Sequence, residues 1–182
     1  LLYGFSGETN IYSIAGKILD GSITIGIQIL ILLLVVSGFG FKVSAVPFRF
    51  WAPDVYEGAP TPVAGFLSTA SKAAGFAVLL RLFFVAFSGF AVSWTAVLAV
   101  LAAITMTVGN LLALPQTNIK RLLAFSSVAH AGYAMIGVIA FTPLGAASVV
   151  FYLAAYIATN LLAFGIVMAF SKVTGLEDVK DY

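Results

Sequence analysis

Polar and apolar positions in this chain alternate on a scale of about twenty residues, the length a helix needs to cross a bilayer. Residues 1–21 carry Glu8, Lys17 and Asp20 and read as an interfacial segment. Residues 22–41 hold no charge and begin the first span. That span does not stop cleanly: Lys42 follows, then Pro47 inside the run PFRFWAPDVYEGAP. A proline removes a helix hydrogen bond and clashes with the preceding turn. The pattern therefore predicts a broken helix over 22–56, interrupted at 45–47. GAPTP at 58–62 is a turn followed by a start signal, with Thr61 as N-cap and Pro62 at the first helical position, so a second span is expected over 62–87. No charge occurs from Leu82 to Ile119, too long a stretch for one helix, and Ser88-Gly89 divides it. The third span is read as 91–114, ended by Pro115, and the fourth as 118–140, capped by Thr117 or Asn118. Thr142-Pro143 breaks the chain again before a fifth span at 145–171 and a polar tail.

Five spans with short connections predict an all-α polytopic transmembrane bundle, since open strands would leave backbone groups unsatisfied in lipid. Composition agrees: 62% of the 182 residues are apolar and 9% are charged, against about 25% in a soluble domain. Mean hydropathy is +1.10. The chain starts at Leu1 and is read as a single transmembrane domain fragment, 1–182. The formal charge of +2 and the lack of a basic run exclude nucleic acid as a partner. With no cysteine and one histidine, no metal site is expected. Gly38 and Gly40 do not form a dinucleotide fingerprint, so no cofactor-binding residues are assigned. The ends at 45–60, 115–121 and 172–182 hold Arg49, Lys120, Arg121, Lys172 and Lys180; the opposite side holds Lys17 and Arg81. The positive-inside rule then puts the amino end outside and the carboxyl end in the cytoplasm.

Within this apolar background, ionisable residues stand out. Lys72 sits about ten residues into its span, roughly 15 Å deep at about 1.5 Å per residue. A lysine there costs on the order of 2.5–3.5 kcal/mol, so it marks either a site or a structural ion pair. Ser68, Ser71, Lys72 and Gly75 share one helical face that would lead polar partners to the amine. Lys42 lies just before the predicted break, where freed carbonyls must be buried in protein or line water. Its alternative is a snorkelling end residue. Burial disfavours the charged form of an amine and a nearby carboxylate restores it, so such lysines can hold and release a proton. His130 lies mid-span, on a polar face with Ser126, Ser127, Tyr133 and Gly137, and could relay protons. Tyr152, Tyr156, Thr159 and Asn160 form a similar face, read first as helix–helix glue, with a water wire as the alternative. Asp54, Glu57, Arg49 and Trp51 read as a solvated turn; Lys120 is a topology anchor or the mouth of a channel.

Two stretches carry a resemblance. FKVSAVPFRFWAPDVYEGAPTPVAGFLSTASKAAGF (Phe41–Phe76) and LPQTNIKRLLAFSSVAHAGY (Leu114–Tyr133) resemble the signatures of the antiporter-like proton-pumping subunits of respiratory complex I, and DVYEGAPTPV resembles the N type rather than the L and M types. The resemblance implies a larger fold of about fourteen helices with two inverted repeats, of which this piece matches the seventh to eleventh. It implies that Lys42 is the lysine before the break in the seventh helix, that Lys72 is the lysine of the eighth, and that His130 lies on the central polar axis. The glutamate of the fifth helix that would pair with Lys42 is outside this sequence. Arg49 stands where relatives often have histidine. The implied function is proton translocation within NADH:quinone oxidoreductase in the cell (inner) membrane. Other membrane subunits would be its partners, and NAD, FMN, Fe–S clusters and quinone would sit in partner subunits. The alternatives are a subunit of a multi-subunit Na⁺/H⁺ antiporter or membrane-bound hydrogenase, or a structural anchor with dry, salt-bridged lysines.

Overall fold

A computed structural model describes residues 1–182, with every side chain except that of Phe90. Among the described residues the chain is mainly helical, with no strand beyond an isolated bridge between Asn118 and Asp178. The helices are α1 Leu2–Ser6, α2 Ile11–Leu19, α3 Ile25–Val43, α4 Trp51–Gly58, α5 Thr61–Ser68, α6 Ala70–Arg81, α7 Ala91–Ala113, α8 Ile119–Ile139 and α9 Pro143–Thr174. A π turn, Leu82–Ala86, extends α6, so that α5, α6 and the turn make one span. Five segments are long and apolar enough to cross a membrane: Ile25–Val43, Thr61–Ala86, Ala91–Ala113, Ile119–Ile139 and Pro143–Thr174. The expected all-α bundle with a broken helix is what forms.

The break has a physical basis in which backbone groups find other partners. Ser44 turns left-handed at φ 62°, and a tight irregular segment carries the chain through Pro47 to α4. The Val46 N–H donates to Thr105 Oγ1 on α7 at 3.0 Å, and Trp51 Nε1 reaches back across the break to the Phe41 carbonyl at 2.9 Å. The segment before α3 is not featureless: Ile14 and Ile18 of α2 are buried. Gln28 ties it to α3 by donating to the carbonyls of Ile18 and Ile23, at 3.3 and 2.8 Å.

Caps set most of the remaining ends. Asn118 accepts from the Lys120 and Arg121 N–H groups, and Thr142 accepts from Gly145 N–H. Thr61 is not the cap expected of it. It is already helical, because the extended Pro60 takes the position before it. An interruption the sequence did not announce falls at Thr69, with φ −107° and ψ −82°. There the hydroxyls of Ser68 and Thr69 both donate to the Gly65 carbonyl, at 2.9 and 2.8 Å. Serine and threonine that bond back onto the preceding turn bend helices.

Helices α7 and α8 make the most intimate pair. A Cβ on Gly109 would lie 2.7 Å from the Ala129 nitrogen, and one on Gly132 would lie 3.0 Å from the Ala102 carbonyl. Without these atoms the backbones meet closely, which is how helices associate in lipid, where apolar burial gives no drive. The main apolar core runs along α2, α3, α6, the π turn, α7 and α8. Trp94 is its centre at the end away from α4, with edge contacts to Phe83 at 4.9 Å and Phe141 at 5.2 Å. A second cluster of Ala52, Tyr56, Ala64, Ala124 and Phe164 fixes α4 against α5, α8 and α9.

Candidate functional site

Lys72 lies near the middle of the 26-residue span Thr61–Ala86 and is 2% exposed. Its ammonium donates to the Ser127 carbonyl at 2.7 Å and the Ser127 hydroxyl at 2.5 Å. Tyr156, from α9, donates its hydroxyl to the same Ser127 Oγ at 2.9 Å. Among the described residues no carboxylate pairs with Lys72, and none of the five membrane segments contains Asp or Glu. The amine is therefore held by neutral oxygens. Such oxygens stabilise the ammonium by hydrogen bonds, and a hydroxyl can also donate to the free amine.

His130 lies mid-way along α8, half buried, with Nδ1 2.5 Å from the Tyr152 hydroxyl. Its ring packs on Tyr156 at 4.9 Å and edge-on to Tyr133 at 5.7 Å. Tyr133 in turn accepts a hydrogen bond from Asn110 Nδ2 at 2.7 Å. Lys72, His130, Tyr152 and Tyr156 line a common cavity with Phe76, Ala131 and Leu153. It has about 10 Å³ of room for a water centre, roughly what a single water needs. Beyond Tyr133 and Tyr152 an open cleft of about 520 Å³ runs to Thr142 and Gly145, at the end of the bundle opposite Lys120.

The other expected residues do not all join this group. Ser68 bonds its own helix, and the Ser71 hydroxyl takes no part in the Lys72 bonds. The interruption at Thr69 breaks the helical register that a continuous polar stripe needs, so the amine's partner comes from α8 instead. Gly75, one turn on, receives the stem of Lys42: a Cβ there would be 3.3 Å from Lys42 Cγ. Lys42 thus approaches α6, but its side chain is exposed, beside Leu34, Val35, Gly38 and Phe39. It is not a buried lysine in this chain: its stem lies against Gly75 while the side chain as a whole stays exposed. Lys120 is buried and ion-paired with Glu177 at 3.0 Å, with a longer contact of 3.5 Å to the Ala59 carbonyl. Arg121 holds Asp54 and Glu57, each at 2.7 Å, so these acids tie α4 to α8 and do not form a free solvated turn. Arg49 lies over the rings of Phe50 and Phe125, at 5.2 and 5.5 Å.

The sequence placed Ser127 on the His130 face and gave the Tyr152–Tyr156 face a water wire only as its second reading, but it did not identify Ser127 as the acceptor of Lys72. The polar faces of α8 and α9 were visible, but which hydroxyl meets which amine depends on how the helices are rotated in the bundle.

The family described as NADH:quinone oxidoreductase/Mrp antiporter, transmembrane, matches residues 1–182. The chain belongs to this family. Among its members, NADH-quinone oxidoreductase subunit N of Desulforamulus reducens is 50% identical over 182 residues, all of this chain and 38% of that protein. NAD(P)H-quinone oxidoreductase subunit 2 of Crocosphaera subtropica is 50% identical over 185 residues, all of this chain and 35% of that protein. The chain thus spans little more than a third of the curated relatives it matches. Among solved structures, respiratory complex I from Thermus thermophilus with bound aureothin contains a chain that is 38% identical, with a TM-score of 0.71, covering 91% of this chain and 34% of that one. The archaeal membrane-bound sulfane sulfur reductase has a TM-score of 0.88 at 25% identity, covering 100% and 37%. As a family member with five membrane-length apolar helices, the chain is a multi-pass membrane protein.

Proposed function

We propose that this chain is the proton-carrying part of a membrane subunit of proton-pumping NADH:quinone oxidoreductase, acting as one transmembrane unit within a longer subunit. The observation that carries this reading is Lys72: an amine near mid-membrane, bonded to neutral oxygens and facing a water-sized cavity shared with His130. A lysine serving structure alone would be expected to have a carboxylate partner, and none lies in the five spans. In this reading Lys72 holds a proton, His130 and its tyrosines pass it along the bundle, and Lys42 stands at the broken helix as the neighbouring carrier. The chain does no redox chemistry; NAD, FMN, Fe–S clusters and quinone belong to partner subunits. The distribution of Lys and Arg supports a cell (inner) membrane placement with the amino end outside.

An antiporter of the Mrp kind is the second reading, supported by a TM-score of 0.79 at 25% identity to a chain of the Dietzia Mrp complex, covering 90% of this chain and 30% of that one. The 50% identity to subunit N favours the first. The test is Lys72→Ala in the full-length subunit, assembled and reconstituted into proteoliposomes. Quinone reduction and proton uptake are measured together. Assembly should persist while protons moved per quinone reduced fall severalfold; an unchanged ratio removes the proposal.

A further inference from the structure

We propose that Tyr56, on the short helix after the break, is a positioning residue for Lys72: its hydroxyl is the group that exchanges roles with Ser127 each time Lys72 gains or loses a proton. This rests on Lys72 being the proton carrier. Tyr56 is 0% exposed, yet its hydroxyl has no hydrogen-bond partner, a costly condition for a buried polar group. Its ring needs only an apolar cavity, packing edge-on to Trp51 and Phe164 at 6.3 Å each, which phenylalanine would fill as well. The hydroxyl lies beside the Ser127 side chain, near enough to interact but off hydrogen-bond geometry.

Counting donors explains why an oxygen is there. When Lys72 is an ammonium, Ser127 Oγ accepts from Lys72 and from Tyr156, which uses both of its lone pairs. The Ser127 proton must then point elsewhere, and the Tyr56 oxygen is the unpartnered acceptor beside it. When Lys72 is a neutral amine, its nitrogen becomes an acceptor. Ser127 turns its proton to Lys72, and Tyr56 turns its own to Ser127 Oγ. No bond to oxygen breaks; two hydroxyls rotate, and one proton leaves or joins Nζ. Without the Tyr56 hydroxyl the ammonium state loses a hydrogen bond through its stranded Ser127 proton. The amine state loses only a second donor to Ser127 Oγ, which still accepts from Tyr156 and still bonds the nitrogen, so the ammonium state suffers more.

The titratable and charged groups around the amine are Tyr56 from α4, His130 from α8, Tyr152 and Tyr156 from α9, and Lys42, whose stem lies against Gly75. Of these, Tyr56 can be changed without touching a bond seen in the structure. In the full-length subunit in its assembled complex, Tyr56→Phe should be as stable as the parent. It should move the alkaline fall-off of proton translocation to lower pH by about one unit, a tenfold loss of proton holding. If Tyr56→Phe does not assemble, 3-fluorotyrosine placed at position 56 decides. It keeps the shape, donates more strongly, favours the amine state and should move the profile the same way. An unmoved profile in the assembled variant overturns the inference. Translocation unchanged in Lys72→Ala would instead remove the functional reading beneath it.

Discussion

Lysines 42 and 72 lie thirty positions apart on neighbouring helices, and their environments differ entirely. Lys72 stood out in the sequence because a charge deep in an apolar run has few bland explanations. Its partner did not stand out, since the choice among Ser126, Ser127 and Ser71 is made by the rotation of α8 against α6. For Lys42 the sequence located the break but not the exposure of the side chain. Two measurements follow at this scale. Tyr152→Phe removes the hydroxyl 2.5 Å from His130 Nδ1. The tautomer balance of that imidazole should shift, which ¹⁵N chemical shifts of labelled histidine would show. Ser127→Ala removes one acceptor of Lys72 and the acceptor of Tyr156. It should lower stability by about 1–3 kcal/mol, read as a fall in the unfolding temperature of the detergent-solubilised full-length subunit.

Helices were legible wherever a stop or start had its own chemistry. Pro47 announced the break and Asn118 a cap that forms, whereas Thr142-Pro143 was legible only as a break and also caps α9. The interruption at Thr69 was not legible, because it contains neither glycine nor proline and depends on two hydroxyls choosing one carbonyl. Tertiary bonds hold these irregular points, so they are where helix-level predictions apply. Thr105→Val leaves the Val46 N–H at the break without its acceptor. The expected cost is about 1–3 kcal/mol, with faster amide exchange around residue 46. Gly109→Ala places a methyl 2.7 Å from the Ala129 nitrogen and must push α7 off α8. Overpacking of this kind costs about 1–3 kcal/mol and should lower the unfolding temperature.

Across the whole chain, one end of the bundle is bound by charge and the middle by neutral groups. Arg121 joins α8 to α4, and Lys120 joins it to the tail, where the Ile119 and Val179 N–H groups also bond the Glu177 and Thr117 carbonyls. The Arg121 pairs are partly exposed, so Arg121→Gln should cost under about 1 kcal/mol, and less at high salt. Between the two ends, the membrane segments hold basic side chains and no acid. A proton arriving on Lys72 is thus not cancelled by any other charge within these spans. It sits about halfway through the transmembrane field, where a full crossing is worth about 2.3 kcal/mol per 100 mV, so its occupancy carries a voltage dependence of roughly half that. Membrane potential alone, with no change in bulk pH, should bias how often this amine is loaded.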